Sequence, residues 1–244
     1  MLSAKPWKPE AVLCLGLGVF ICAVLGGVLA AVTRLLLGPG SDHVLARILS
    51  GVIGFQGAAL VLIAFFLRTH HIGWADAFGF RNRGLRAALL GLLSTCLFLP
   101  PGLGLLAVTM KLMVRFGLPV EEQSTVQILR EAGAWPAQLL MAFIAIVLAP
   151  FVEEILFRGI LYPVIKQAGH PRAALWGTSL LFAAIHNHLP SFLPLLLLAL
   201  MLIWLYEKTD NLLAPIAAHS LFNALNFAML HFADQLEQWR LPHP

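Results

Sequence analysis

The sequence predicts an all-α protein, a polytopic transmembrane helical bundle of about seven to eight membrane helices around an intramembrane polar cavity. Three observations carry this. Of 244 residues, 59% are hydrophobic and 11% charged, against roughly 45–50% and about 25% in soluble domains. The apolar residues fall in runs near the roughly 20 needed to cross a hydrocarbon core. Apart from Arg34 and Lys166 at the ends of two runs, the charges fall between them, except that Glu153, Glu154 and Arg158 sit inside one.

In order, the first span is 11–37, preceded by Lys5 and Lys8 and ended by Gly38-Pro39-Gly40. It is too long for a signal-peptide core and reads as a retained helix. The second is 48–67, free of formal charge, followed by an arginine-rich loop to Arg86. The third is 87–110, where Pro100-Pro101 predicts a kink or a break. Within 111–134, the stretch 121–131 suits a short amphipathic helix at the membrane surface. The fourth, 135–166, is too long for one straight crossing and is expected to bend at Pro150. The fifth, sixth and seventh are 173–185, 192–206 and 212–232, followed by a polar tail. Cys14, Cys22 and Cys96 lie in apolar runs, so they read as small buried hydrophobes and imply neither a disulfide framework nor a metal site. Lys and Arg are in excess on the N-terminal side, so that side is expected to be cytoplasmic. The net charge of +4 fits such loops better than a nucleic-acid surface.

A charged side chain at a bilayer centre costs about 3 kcal/mol on insertion scales, so it marks a functional site by default. Glu154 and Arg158 are four apart in acid-first order and suit a structural ion pair. Glu153 lies about 100° around the helix and has no local cation. An unpaired carboxylate away from bulk water suits general-base work. Two later helices carry pairs at the same spacing, Phe182 with His186 and His219 with Asn223. Asn226 continues the second face. A histidine at a helix end is often only a cap, as His188 is in the following turn. Histidine and asparagine on one membrane face serve as interhelical glue or as donors to an oxyanion. At about 1.5 Å rise per residue, Glu153 and His186 each lie roughly 20 Å from the inner helix ends, whereas His219 lies only about 10 Å in. Zincin, nucleophile-elbow, phosphate-loop and Cys-x-x-Cys motifs are absent.

In that order, Glu153-Glu154-x-x-x-Arg158, Phe182-x-x-x-His186 and His219-x-x-x-Asn223 resemble the CPBP family of CAAX prenyl and bacteriocin-processing (Abi) intramembrane proteases. The run 206–216 is similar to the family's connector before its last motif, and the likeness covers 135–226. It implies a bundle with a polar cavity open to water. Glu153 and His186 would activate the hydrolytic water, His219 and Asn223 would stabilise the oxyanion, and Arg158 would hold Glu154. The chain then divides into N-terminal helices and a surface segment (1–134), a CPBP-like core (135–232) and a tail (233–244). No cofactor is required on this reading. The alternative is one zinc ion on Glu153, His186 and His219 with a fourth position open, and the residues leave both open.

The leading expectation is therefore a multi-pass intramembrane endopeptidase of the cell membrane, acting on a peptide or membrane-protein substrate, with the lipid bilayer and no nucleic acid as partner. Two other classes stand beside it. One is a non-catalytic scaffold or immunity protein of the same fold. The other is a proton-coupled transporter, since buried Glu and His also form relays; the lack of an internal repeat weighs against it.

Overall fold

The computed structural model describes residues 2–37, 44–121, 123–131 and 135–240. Among them every regular element is helical: α1 (Pro9–Leu37), α2 (Val44–Thr69), α3 (Trp74–Ala77), α4 (Gly84–Arg115), α5 (Ser124–Glu131), α6 (Trp135–Gln167), α7 (Pro171–Ile185), α8 (Leu189–Thr209) and α9 (Leu213–Arg240). Six described helices are long and apolar enough to cross a membrane: α1, α2, α4, α6, α8 and the first 20 residues of α9. α7 has 15 residues and runs beside them. The expected seven to eight is compatible with this arrangement and is not reached by length and composition alone.

Proline opens several of these helices because its fixed φ suits the first turn, where no N–H is needed. Pro9 does so for α1, Pro171 for α7 and Pro190 for α8. Of the kink or break expected at Pro100-Pro101, the break does not occur. α4 is one helix of 32 residues through both prolines, since proline's φ is itself helical and only local main-chain bonds are lost. α9 continues to Arg240, beyond the expected end at residue 232, because no glycine or proline stops it before Pro242. The glycine-proline turn at 38–40 and residues 241–244 of the polar tail lie outside the described residues.

The cysteines correct an expectation. Cys14 and Cys96 are exposed on the surface of the bundle and Cys22 is half-buried. Apolar residues in a membrane helix face lipid as readily as protein, so hydropathy does not separate the two.

The chain's two turns on the N-terminal side interlock with each other and with residues 2–8. Leu212 donates its backbone N–H to the Phe78 carbonyl (3.0 Å), and Asn211 Nδ2 donates to the Asn82 carbonyl (2.6 Å). Gly79 has φ +72°, and a Cβ there would stand 2.1 Å from the Asp210 carbonyl oxygen; only glycine permits that approach. Phe78 and Leu212 reach inward to Gly159, where an added Cβ would meet them at 2.8 and 3.4 Å. α9 therefore starts level with Gly159, about two turns in from the end of α6. This removes the depth mismatch that the sequence left between His219 and Glu153.

Two apolar clusters share α6. Ile155 and Ile160 pack with Trp7, Phe66, Phe78 and Tyr206. Phe157 packs with Phe182, Leu198, Leu205 and Ala214. The charged stretch of α6 lies where the two clusters meet.

Candidate active site

α6 is not a uniform helix. At Ile144–Leu148 and Ile155–Leu161 its turns widen to the π form, which is frequent at functional sites. The six residues between them, Ala149–Glu154, form a regular turn and a half that carries both glutamates. Proline accounts for loose carbonyls beside this piece. Pro150 is five residues after Ala145 and Pro163 is four after Gly159, so neither can donate back along the helix. Side chains from elsewhere fill both places. Asn223 Nδ2 donates to the Ala145 carbonyl (2.8 Å), and Trp7 Nε1 donates to the Gly159 carbonyl (2.8 Å).

Glu154 is fully buried, as is Arg158 at 1% exposure. Arg158 Nη1 donates to Glu154 Oε1 at 2.9 Å, and its Nη2 donates to the Ala199 carbonyl of α8 at 3.4 Å. The guanidinium also lies over the Phe182 ring, 4.3 Å from its centroid. A buried guanidinium is tolerable only with such a set of partners. His219, 2% exposed, places Nδ1 at 2.9 Å from the same Glu154 Oε1. Nδ1 is the protonated nitrogen if that carboxylate is ionised, which leaves Nε2 facing away from it. Nε2 lies 3.9 Å from Glu153 Oε2. Glu153 is the less enclosed acid, with its side chain 16% exposed.

His186 caps α7. Its Nδ1 is 2.7 Å from the Phe182 carbonyl, and because a carbonyl only accepts, Nδ1 carries the proton and Nε2 is the basic nitrogen. Phe182 sits between the two histidines, its ring 4.8 Å from that of His186 and 5.7 Å from that of His219. Among the described residues no hydrogen bond joins His186 to Glu153 or to His219. Asn187 turns the chain with φ 46°, a conformation asparagine tolerates, and His188 is held by Ser191 Oγ (2.7 Å) and the Glu121 carbonyl (3.0 Å). Asn226 donates to the Phe222 carbonyl of its own helix (2.8 Å).

The structure thus brings Glu153, Glu154, Arg158 and His219 into direct contact. His186 joins through Phe182, and Asn223 lies one turn beyond His219 on α9. Among the described residues no three His, Cys, Asp or Glu side chains converge as a metal-binding group; the Nδ1 contacts of His219 with Glu154 and of His186 with a carbonyl leave both Nε2 atoms open, which is also the arrangement a histidine metal ligand takes. Sequence reasoning missed the His219–Glu154 contact and the part of Trp7. The second had a readable signal, a proline four residues after a glycine in a membrane helix.

Residues 135–225 match the family model described as type II CAAX prenyl endopeptidase Rce1-like. This stretch is similar to the Rce1-like family. It begins with α6 and ends in α9, so it contains Glu153, Glu154, Arg158, His186, His219 and Asn223. A stretch of 94 residues is 34% identical to the uncharacterized protein YpbD of Bacillus subtilis (strain 168), covering 37% of this chain and 45% of that protein. The match therefore spans less than half of either. No solved structure matches. The resemblance drawn from the three motifs is thus the one the comparison returns, over nearly the same residues.

Proposed function

We propose that this membrane protein is an intramembrane endopeptidase in which the Rce1-like stretch hydrolyses a peptide bond of a peptide or membrane-protein substrate. The observation that carries the reading is the Glu153 carboxylate. It stands part-exposed beside His219 Nε2, against a buried Arg158–Glu154–His219 cluster. Glu153 takes a proton from water, with His186 Nε2 as the second acceptor that orients it. The hydroxide attacks the scissile carbonyl. Protonated His219 donates from Nε2 to the resulting oxyanion while Glu154 holds its Nδ1–H, and the second N–H of Asn223 Nδ2 is a further donor. The proton on Glu153 then passes to the departing amine. Arg158 keeps Glu154 in place. The side chains named here account for each proton without a metal ion. The N-terminal side faces the cytoplasm, following its lysine and arginine excess.

The test uses purified protein in lipid nanodiscs with a quenched-fluorescent peptide library, together with a search for uncleaved precursors in cells carrying Glu153→Gln. Wild type cleaves, whereas Glu153→Gln and His186→Ala each lose about 100-fold or more, the typical contribution of a general base. Undiminished cleavage by both variants removes this mechanism. A cell phenotype fully rescued by Glu153→Gln supports a scaffold instead.

A further inference from the structure

We propose that Trp7 is a positioning residue of the active site, holding through its indole N–H the main-chain turn that carries Arg158. The inference rests on the proteolytic reading of the site for its functional consequence, and on geometry alone for the contact itself.

Gly159 immediately follows Arg158 in the wide turn Ile155–Leu161. Its carbonyl has no donor four positions on, where Pro163 lacks an N–H; in the wide register that Tyr162 N–H still follows in donating to the Phe157 carbonyl, its main-chain donor would be Val164. A buried carbonyl left unmatched costs free energy, and a turn with a loose carbonyl is free to change its pitch. The Trp7 indole reaches the Gly159 carbonyl from outside the Rce1-like stretch, across 152 residues of sequence, at 2.8 Å in a buried setting. A change of pitch at Gly159 would move Arg158, whose Nη1 and Nη2 are fixed on Glu154 and the Ala199 carbonyl. Glu154 in turn holds His219.

Trp7 is itself held in two ways. Its rings pack on Phe66, His70 and Phe78, with centroids 5.1, 5.4 and 6.4 Å away. The segment before and after it is tied down at several points. Ser3 Oγ donates to Asp210 (3.0 Å), the Lys5 backbone N–H to Gln167 (3.2 Å) and the Lys8 backbone N–H to His70 Nε2 (3.3 Å). Residues 2–8 thus act on the site without touching a substrate.

Trp7→Phe keeps the aromatic packing and removes only the donor. Pro163→Ala supplies an N–H four positions after Gly159, where proline has none. The experiment compares wild type, Trp7→Phe, Pro163→Ala and the double variant in nanodiscs. It reads hydrogen exchange of the amides in 155–161, and kcat and KM on the library peptide that wild type cleaves fastest. Trp7→Phe is expected to exchange about tenfold faster there and to lose about tenfold in kcat with KM unchanged, the scale of one neutral hydrogen bond. Pro163→Ala is expected to restore both in the double variant. Unchanged exchange in Trp7→Phe, or faster exchange with kcat unchanged, overturns the proposal. If wild type cleaves nothing, the proteolytic reading fails, and the exchange arm still decides whether Trp7 holds the turn.

Discussion

Glu154 takes both of its donors, Nη1 of Arg158 and Nδ1 of His219, on one oxygen. Its other oxygen, Oε2, is buried with no hydrogen-bond partner. Removing either donor leaves a buried acid poorly matched, so Arg158→Ala is expected to cost about 3–5 kcal/mol in unfolding experiments in detergent. The exposed Arg81–Asp76 pair, 3.6 Å apart, sets the contrast; Arg81→Ala should cost less than about 1 kcal/mol. Lys5 offers a second residue-scale test. Burial holds its ammonium below the usual lysine range, opposed by the Asp210 carboxylate. In the window below that usual value the undocked segment binds a proton that the docked one does not. Stability therefore rises with pH through the window and levels off above it. Thermal unfolding from about pH 8 to about pH 10 should show this rise in wild type and lack it in Lys5→Met. The pairing of Glu154 with Arg158 was legible from a spacing of four. The second donor was not, because it comes from a helix 65 positions away, and periodicity speaks only within one element.

Helix crossings are set by small residues whose importance shows only at contact. A Cβ on Gly91 of α4 would stand 2.1 Å from the Ala214 carbonyl oxygen of α9, and one turn on, Thr95 Oγ1 donates to the Ala218 carbonyl (2.9 Å). Gly91→Ala would push apart the helix that carries His219. It should cost about 1–3 kcal/mol as an overpacked site, and cleavage by the surviving folded protein should fall as well. Asn223→Leu is the complementary case on α6. It strips the Ala145 carbonyl of its donor, for about 1–3 kcal/mol, measured by the same unfolding series. The helices themselves were legible, since apolar runs of sufficient length have few other readings. Their ends were less so. α9 runs past residue 232, and α4 ignores two prolines that a soluble protein would use as a stop. The wide turns in α6 were foreshadowed only by Pro150, as a bend.

For the whole molecule, the interlocked turns place residues 2–8, the loop before Gly84, the end of α6 and the α8–α9 turn on one side. Single cysteines introduced at Arg81 and Lys208, in a background lacking Cys14, Cys22 and Cys96, should react with an impermeant maleimide from the same face of sealed vesicles. One at Phe116 should react from the other. Labelling of Arg81 and Lys208 positions from opposite faces would contradict the fold. The family resemblance and the three motifs were legible because fixed residue types recur at helical spacing within single helices. The height at which the helices meet was not, since it depends on where Phe78 and Leu212 wedge against Gly159. The shortness of α7 has a consequence for the surrounding lipid. Its 15 residues make a rod of about 22 Å, against a hydrocarbon slab of about 30 Å. Either the bilayer pinches around this helix or a funnel of water descends to its end at His186. On the proposed proteolytic reading, a polar chain would then reach Glu153 through a local dimple, without ever traversing a leaflet of full thickness.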